Sequence, residues 1–191
     1  MLFHRETDKT PEPKDKFHWE AMLRGQVLAA TSFKFVNYIN IADQKAQAMI
    51  ILNSILIPVT LGWVGKADFG VPATISILTA FASIFAAILC IYPKRRNGTK
   101  PDGTYNLLHF GDIGRMKEEK YLELINPIFN DLNQLSEEAI KDLHDIARRV
   151  IIPKFFWLKI SYGAFFAGNL IAVLVTLLSI WTGDAHFPHA E

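Results

Sequence analysis

The amino-acid sequence predicts an all-α membrane protein with three transmembrane helices and a small cytoplasmic helical head. Residues 46–65, 70–93 and 160–183 are apolar runs without a charged side chain. A hydrocarbon core of about 30 Å is crossed by roughly 20 helical residues, and each run reaches that length. The charged stretch 94–159 separates the second run from the third, and it is the one sizeable segment expected in water.

Basic residues beside the runs predict the orientation. Apart from Lys66 in the short link between runs one and two, these residues are Lys45, Lys94, Arg95, Arg96, Lys154 and Lys159. The last residues, 184–191, contain no lysine or arginine. Cytoplasmic flanks of membrane helices carry an excess of Lys and Arg. The N-terminus and residues 94–159 are therefore predicted to be cytoplasmic, and 184–191 to be a non-cytoplasmic tail.

Composition and motifs argue against an enzyme, a metalloprotein and a nucleic-acid binder. The formal net charge is +1, whereas nucleic-acid binders usually have a basic excess on a soluble face. The single cysteine, Cys90, allows no disulfide within the chain. The histidines form no HExxH pair, and no GxGxxG or Walker loop occurs. His186 and His189 have the spacing of a weak metal site, but a tail is their more ordinary role. We expect no catalytic residue, metal or cofactor.

The N-terminal part is predicted to be a flexible tail followed by a long helix. Residues 1–16 are polar and contain Pro11 and Pro13, which favours a tail. Residues 17–45 have an amphipathic pattern of three- and four-residue steps. No further proline occurs before Pro58, so the helix should run unbroken into the first span. Two interpretations of 17–45 stay open, a cytoplasmic extension of that span and a helix lying flat on lipid.

Residues 46–93 are predicted to form a transmembrane helical hairpin, because only a few residues link the first two runs. Pro58 should kink the first span, which membrane helices tolerate when neighbours satisfy the freed carbonyl. In the third run, residues 160–183, Ala164 and Gly168 have the small-xxx-small spacing of packed membrane helices. Asn169 can hydrogen-bond across a helix interface. These features favour close helix packing or a homo-oligomer.

The segment 94–159 is predicted to be a cytoplasmic helical sensor. An irregular glycine-rich stretch leads to a helix over 115–124, which should break at residues 126–127. Ser136 is the expected N-cap of the next helix, because acidic residues follow it in the first turn. This helix should kink at Pro153 and continue into the third span.

Two short stretches combine polar and aromatic residues in unusual places. The first is Ala-Asp-Gln-Lys-Ala over 42–46. Lys45 can reach the lipid headgroups, but a carboxylate as close to lipid as Asp43 usually has a partner. The second is Asn-Leu-Leu-His-Phe-Gly-Asp-Ile over 106–113. Its ordinary interpretation is a turn that caps a helix and buries Leu107 and Phe110.

A third stretch, the basic approach Arg-Arg-Val-Ile-Ile-Pro-Lys over 148–154, completes a recognisable set. An A-D-x-K-A motif before the first span, an N-L-L-x-F-G-D-I motif after the second and a basic approach to the third resemble the transmembrane effector family of Pycsar antiphage defence. The resemblance covers roughly residues 36–180 with matching order and spacing. Pro153 departs from the family pattern.

The resemblance implies an effector of the bacterial inner membrane that binds cyclic UMP or cyclic CMP made by a cognate cyclase. The effector then impairs the bilayer, and the infected cell stops growing or dies before phage matures. A cyclic nucleotide needs a cation for its phosphate, an aromatic face for its base and polar groups for the base edge. The residues expected to supply these contacts are Asp43, Lys45, Asn106, His109, Phe110, Asp112, Arg148 and Lys154.

A second interpretation is a non-signalling accessory or structural subunit of a membrane complex. The charged segment would then be a docking surface, and Asp43 and Asn106 would pair helices. A stoichiometric partner in gentle purification, together with no nucleotide affinity, would favour this interpretation. A transporter or pore within one chain has less support, because the apolar spans carry no charged side chain, and we expect only Asn53 and Asn169 to be able to line a polar path.

Overall fold

A computed structural model describes residues 13–66, 69–92 and 105–184. Every secondary-structure element in these ranges is helical. The elements are α1 (Pro13–Leu61), α2 (Gly70–Ile91), α3 (Phe110–Ile113), α4 (Glu118–Asn130), α5 (Leu132–Ile146), a π-helical stretch (Ala147–Ile151) and α6 (Ile152–Asp184). The basic residues 94–96, most of the predicted tail 1–16 and nearly all of the tail 184–191 lie outside the described residues.

Three helical segments in the described ranges are long and apolar enough to cross a membrane. They are His18–Leu61, Gly70–Ile91 and Leu132–Thr182. The predicted fold class, an all-α protein with three membrane-spanning helices, is therefore confirmed.

Helix α1 runs without interruption from Pro13 to Leu61, as the absence of proline between Pro13 and Pro58 predicts. It begins inside the segment 1–16 that the sequence assigned to a tail. Proline suits the first helical position, because its fixed φ is already helical and its missing N–H would have no partner there. Pro58 lies inside the helix, which ends one turn later.

Close contacts divide the chain into two compact units. The head contains the described residues within Met1–Phe35 and Arg96–Asp145. The bundle contains those within Val36–Arg95 and Ile146–Glu191. All three apolar helices contribute to the bundle, and α3, α4 and α5 belong to the head.

The bundle is built around a seam of small side chains on α2. Its buried residues are Pro72, Ala73, Ser76, Ala80, Ser83, Ala86, Ala87 and Cys90. From Ala73 most of them follow alternating three- and four-residue steps, the spacing of a helix that faces its partners along one stripe. Small side chains let membrane helices approach closely, and van der Waals packing then holds them together. Ala42, Ala46 and Met49 of α1 and Leu158 of α6 pack with the end of this seam.

Gly168 marks a close approach of α6 to α2. A Cβ atom at this position would lie 2.0 Å from the Oγ1 of Thr79. No side chain larger than hydrogen is accommodated there without separating the two helices. The small-residue packing predicted for the third span is confirmed at this position.

A π-helical stretch, Ala147–Ile151, ends two residues before Pro153. The N–H of Ile152 donates to the carbonyl of Ala147, five residues back rather than four. Proline has no N–H to donate to the carbonyl four residues earlier, that of Arg149. The predicted irregularity at Pro153 therefore takes the form of a widened turn that precedes it.

The boundary between α4 and α5 differs from the prediction. Helix α4 continues through Pro127 to Asn130, so the predicted break at 126–127 is wrong. Ile125, two residues before the proline, is buried and packs this part of α4. Pro127 removes only one N–H donor, and three residues of α4 follow it, so the proline lies in the last turn and does not end the helix at once.

The cap of α5 also differs from the prediction. Asp131 is the cap, because its Oδ1 accepts the N–H groups of Asn133 at 2.9 Å and Gln134 at 3.3 Å. Ser136 lies inside α5, where its hydroxyl donates to the carbonyl of Leu132 at 2.7 Å. The prediction of Ser136 as N-cap is wrong because an equally favoured capping residue occurs five positions earlier.

Candidate functional site

Two predicted site residues from distant parts of the sequence form an ion pair in the bundle. The Nζ of Lys154, at the start of α6, donates to the Oδ1 of Asp43 in α1. The same Nζ donates to the backbone carbonyl of Cys90 in α2 at 3.1 Å. We call Asp43, Lys154 and the Cys90 carbonyl the clasp, because together they connect all three helices of the bundle.

The chemistry of the clasp explains why Lys154 is tolerated in an enclosed position. Its side chain is 12% exposed and that of Asp43 is 29% exposed. The last four carbonyls of a helix lack an intrahelical partner, and the C-terminal end of a helix attracts cations. Cys90 is the second-to-last residue of α2, so Lys154 neutralises both the end of α2 and the carboxylate of Asp43.

Further along the seam, neutral polar side chains join the helices. The Nδ2 of Asn53 donates to the Oγ of Ser83 at 3.0 Å, and the Ser83 hydroxyl donates to the carbonyl of Ser161 at 2.9 Å. All three residues are completely buried. The hydroxyl of Ser76 donates to Oδ1 of Asn169 at 3.1 Å. The predicted cross-helix hydrogen bond of Asn169 is thereby confirmed.

These contacts recur at regular intervals along α2. Ser76, Ser83 and Cys90 are each seven residues apart on its buried face. At a rise of 1.5 Å per residue, the three polar layers lie about 10 Å from one another along the helix. In the sequence these residues form a seven-residue repeat of Ser, Ser and Cys. The repeat was not recognised because the second run is apolar overall.

In the head, Asn106 organises the turn that precedes α3. Its N–H donates to Oδ2 of Asp112 at 2.9 Å, and its Nδ2 donates to Oδ1 of Asp142 at 2.7 Å. Its own Oδ1 accepts the N–H of Leu108 at 3.1 Å. Asn106 and Asp112 are only 4% and 5% exposed. The Nδ2 of Asn106 therefore joins the turn to α5, and its Oδ1 holds the shape of the turn itself.

The same turn places an aromatic pair at the surface. The rings of His109 and Phe110 have centroids 4.8 Å apart and planes tilted by 30°. The Nδ1 of His109 accepts the N–H of Gly111 at 3.1 Å, which caps α3. Leu107 is buried as predicted, but Phe110 is 82% exposed. The expected burial of Phe110 is wrong, since α3 is a single turn and covers little of the ring's surroundings.

The remaining two predicted residues, Lys45 and Arg148, are exposed basic side chains of the bundle. Lys45 lies two residues after Asp43 in α1, and Arg148 lies in the π-helical stretch. Among the residues that the structure describes, neither takes part in an ion pair. No group of three or more His, Cys, Asp or Glu side chains that could hold a metal occurs in the described ranges.

Comparison with protein-family models gives a match over most of the chain. The model of the Pycsar effector protein domain matches residues 27–181. The chain belongs to the Pycsar effector family. Searches of curated proteins and of solved structures each gave no match.

The matched range of this Pycsar effector includes the clasp, the turn around Asn106 and all three apolar helices up to Trp181. The membrane helices are therefore part of the effector domain and not an added anchor. The protein is a membrane-located effector of antiphage defence.

Proposed function

We propose that this Pycsar effector binds a cyclic pyrimidine mononucleotide, cUMP or cCMP, in its cytoplasmic part and then impairs the inner membrane. The family match carries the proposal, because one domain contains both the polar turn of the head and the three membrane helices. An effector needs a signal and a target. The charged segment would bind the signal, and the apolar helices would act on the target, which is the membrane around them.

The orientation that we propose places the N-terminus and residues 94–159 in the cytoplasm. The clasp supports it, because Lys154 and the exposed Arg148 lie near the beginning of α6 and Lys45 lies before the apolar part of α1. Basic residues at these positions follow the positive-inside rule. A nucleotide made in the cytoplasm would then meet the basic ends of the helices.

For the phosphate, we propose Arg148 as the principal cation. Its guanidinium is exposed and has no ion pair among the described residues, so binding an anion there displaces no existing partner. Guanidinium groups bind phosphate oxygens in a bidentate manner. Lys45 is a second exposed cation of the bundle. Lys154 pairs with Asp43 in this structure and would bind the phosphate only in exchange for that carboxylate.

For the base, we propose the His109–Phe110 pair of the head. Phe110 is 82% exposed. Exposure of so much apolar surface to water is unfavourable, and a base stacked on the ring would cover it. Stacking of a base on an aromatic ring contributes about 1–3 kcal/mol. Asn106 and Asp112 would then act by holding this turn in shape, since their polar atoms are hydrogen bonded inside the head.

The helices have the surface that a membrane-active protein needs. One chain buries little of these helices. In the most apolar 18 residues of each, the buried share is 17% for His18–Leu61, 33% for Gly70–Ile91 and 11% for Leu132–Thr182. The rest can contact lipid or a second copy, and we propose a homo-oligomer on this basis. A ligand shifts such a system only by binding one packing arrangement more tightly than another.

The test is a thermal-unfolding series on the detergent-purified chain with cyclic UMP, cyclic CMP, cyclic AMP and cyclic GMP. We expect selective stabilisation by one pyrimidine nucleotide, reaching about 2.7 kcal/mol when its concentration is 100 times Kd. Arg148→Ala should remove the response. Arg24→Ala is the matched control, because this exposed arginine precedes the matched range.

The membrane part of the proposal is tested in cells that make the chain together with a source of the nucleotide that binds. Loss of membrane potential on nucleotide supply is the expected result. No stabilisation by any of the four nucleotides would reject the proposed ligand class, and binding without depolarisation would reject the proposed action on the membrane.

A further inference from the structure

We propose that the clasp is a latch that holds the three membrane helices in their resting arrangement, and that breaking the Asp43–Lys154 pair activates the effector. The inference rests on the proposed function for the nature of the signal. The latch itself is defined by the geometry of Asp43, Lys154 and the Cys90 carbonyl.

The position of the clasp makes it suitable for this role. A single ammonium group at the start of α6 bonds to a side chain of α1 and to the end of α2. Beneath it, Ala42, Ala46, Ala87 and Leu158 pack in one apolar cluster. Loss of the ammonium therefore releases two helix contacts at once, and it leaves only the apolar cluster to hold the helices together at that end.

The charge of the clasp distinguishes it from the other layers. The Ser83 and Ser76 layers consist of neutral hydroxyl and amide groups. They contain no cation for which an anionic ligand could compete. The clasp is held by opposite charges, and a phosphate competes with a carboxylate for the same ammonium. The Asp43 side chain is 29% exposed and that of Lys154 is 12% exposed, so the pair is partly open to water.

The charges also define the direction of the switch. A buried ion pair that loses one partner leaves the other charge uncompensated, and the structure relaxes towards arrangements that hydrate it. For Asp43 and Lys154 these are arrangements in which α1 and the start of α6 separate. The broken pair thus favours an opened bundle over the closed one.

The deciding experiment needs no nucleotide. Asp43→Asn is produced from an inducible promoter in bacteria that lack a cognate cyclase, and membrane potential is followed with a voltage-sensitive dye. We expect about tenfold more depolarised cells than with the wild-type chain, because the loss of a contact made only in the closed arrangement shifts the two-state equilibrium towards the open one. Lys159→Ala, which removes an exposed lysine of α6 outside the clasp, is the control and should not depolarise cells. Lys154→Arg, which keeps the charge, should depolarise fewer cells than Asp43→Asn.

A second variant protects the test against a simple folding defect. Lys154→Gln keeps a donor for the Cys90 carbonyl and removes the cation, and it should depolarise cells as Asp43→Asn does. Immunoblots of membrane fractions establish how much of each variant is inserted. If Asp43→Asn and Lys154→Gln are present in the membrane at wild-type amounts and neither depolarises cells, the latch is rejected. It is also rejected if both variants are absent from the membrane while Lys154→Arg is retained, because the pair would then serve assembly.

The outcomes separate the latch from the proposed ligand. Depolarisation by Asp43→Asn, together with a wild-type chain that ignores cyclic UMP and cyclic CMP, would keep the latch and reject the ligand. A wild-type chain that responds to a pyrimidine nucleotide while Asp43→Asn is silent would keep the ligand and reject the latch.

Discussion

The bundle and the head both bury polar side chains, but they use them for different purposes. In the bundle, the partners lie far apart in sequence and on different helices, as with Asn53 and Ser83 or Asp43 and Lys154. In the head, Asn106 bonds mainly to backbone and side-chain groups of its own turn. Apolar surface cannot choose between lipid and protein inside a membrane, so polar contacts select the helix partners. In the head, burial of the apolar side chains of Leu107 and Ile125 determines which elements pack together. The polar groups there determine the shape of the turn.

Location on the seam, and not polarity alone, determines which hydroxyls join helices. Ser54 and Thr74 lie on exposed faces of α1 and α2. Their hydroxyls donate to carbonyls four residues earlier in the same helix, at 2.7 and 2.8 Å. A serine or threonine in a membrane helix can always satisfy itself in this way. Cross-helix bonds therefore require a small-residue seam that brings a neighbour within reach.

The largest expected effect comes from filling the closest approach in the bundle. Gly168→Val would place a Cβ 2.0 Å from the Thr79 hydroxyl oxygen and 2.3 Å from its Cβ. Because neither helix can yield locally, we expect the free energy of unfolding to fall by about 3 kcal/mol. Denaturation of the purified chain with SDS measures this change. Gly163→Val is the matched control, since no atom lies within 4 Å of a Cβ at that position. Equal unfolding of the two variants would show that α2 and α6 do not meet at Gly168.

A smaller and local effect is expected in the head. Asn106→Ala removes the hydrogen bonds to Asp142 and Leu108. These groups are partly buried, so we expect the loss to be near the lower end of the roughly 1–3 kcal/mol that an unsatisfied buried group costs. Hydrogen exchange of residues 105–113 should quicken, while the bundle helices keep their protection. Asn133→Ala, at an exposed asparagine of α5, should change nothing. Faster exchange in α2 or α6 as well would contradict the separation between the roles of polar groups in the two units.

The smallest expected effect concerns the central polar layer. Asn53→Ala removes the bond to Ser83, and cross-helix hydrogen bonds in membranes are worth about 0.6 to 1.7 kcal/mol. The Oδ1 of Asn53 has no hydrogen-bond partner among the described residues, so its removal offsets part of that loss. SDS denaturation should therefore move only slightly. Ser54→Ala, whose hydroxyl bonds within α1, provides the baseline. A loss as large as that of Gly168→Val would mean that polar bonds, and not close packing, dominate bundle stability.

The parts of the structure that depend on sums over many residues could be predicted from the sequence. The three spans follow from about 20 apolar side chains each, and one misplaced polar residue does not alter such a sum. The need of Asp43 for a partner was also predictable. The identity of that partner was not, because Lys154 is 111 residues away and many lysines are nearer in sequence.

The errors arose where two local signals compete. Asp131 and Ser136 are both good N-caps five residues apart, and only the folded helix reveals which one is used. Phe110 is apolar and beside a glycine, which predicts burial. Its exposure depends on the length of α3, and a four-residue helix leaves no periodic pattern to read. The predicted ligand contacts of all eight site residues stay predictions.

The lone thiol of Cys90 gives the protein a reporter of its own state. Cys90 is the single cysteine in 191 residues. It is 1% exposed, and its sulfur lies 3.9 Å from the carbonyl of Ala42 in α1. A maleimide cannot reach a thiol that is enclosed in this way, since reactivity requires access. Labelling of Cys90 in living cells therefore reports when α1 separates from α2, and the unmodified chain serves for this experiment without an engineered residue.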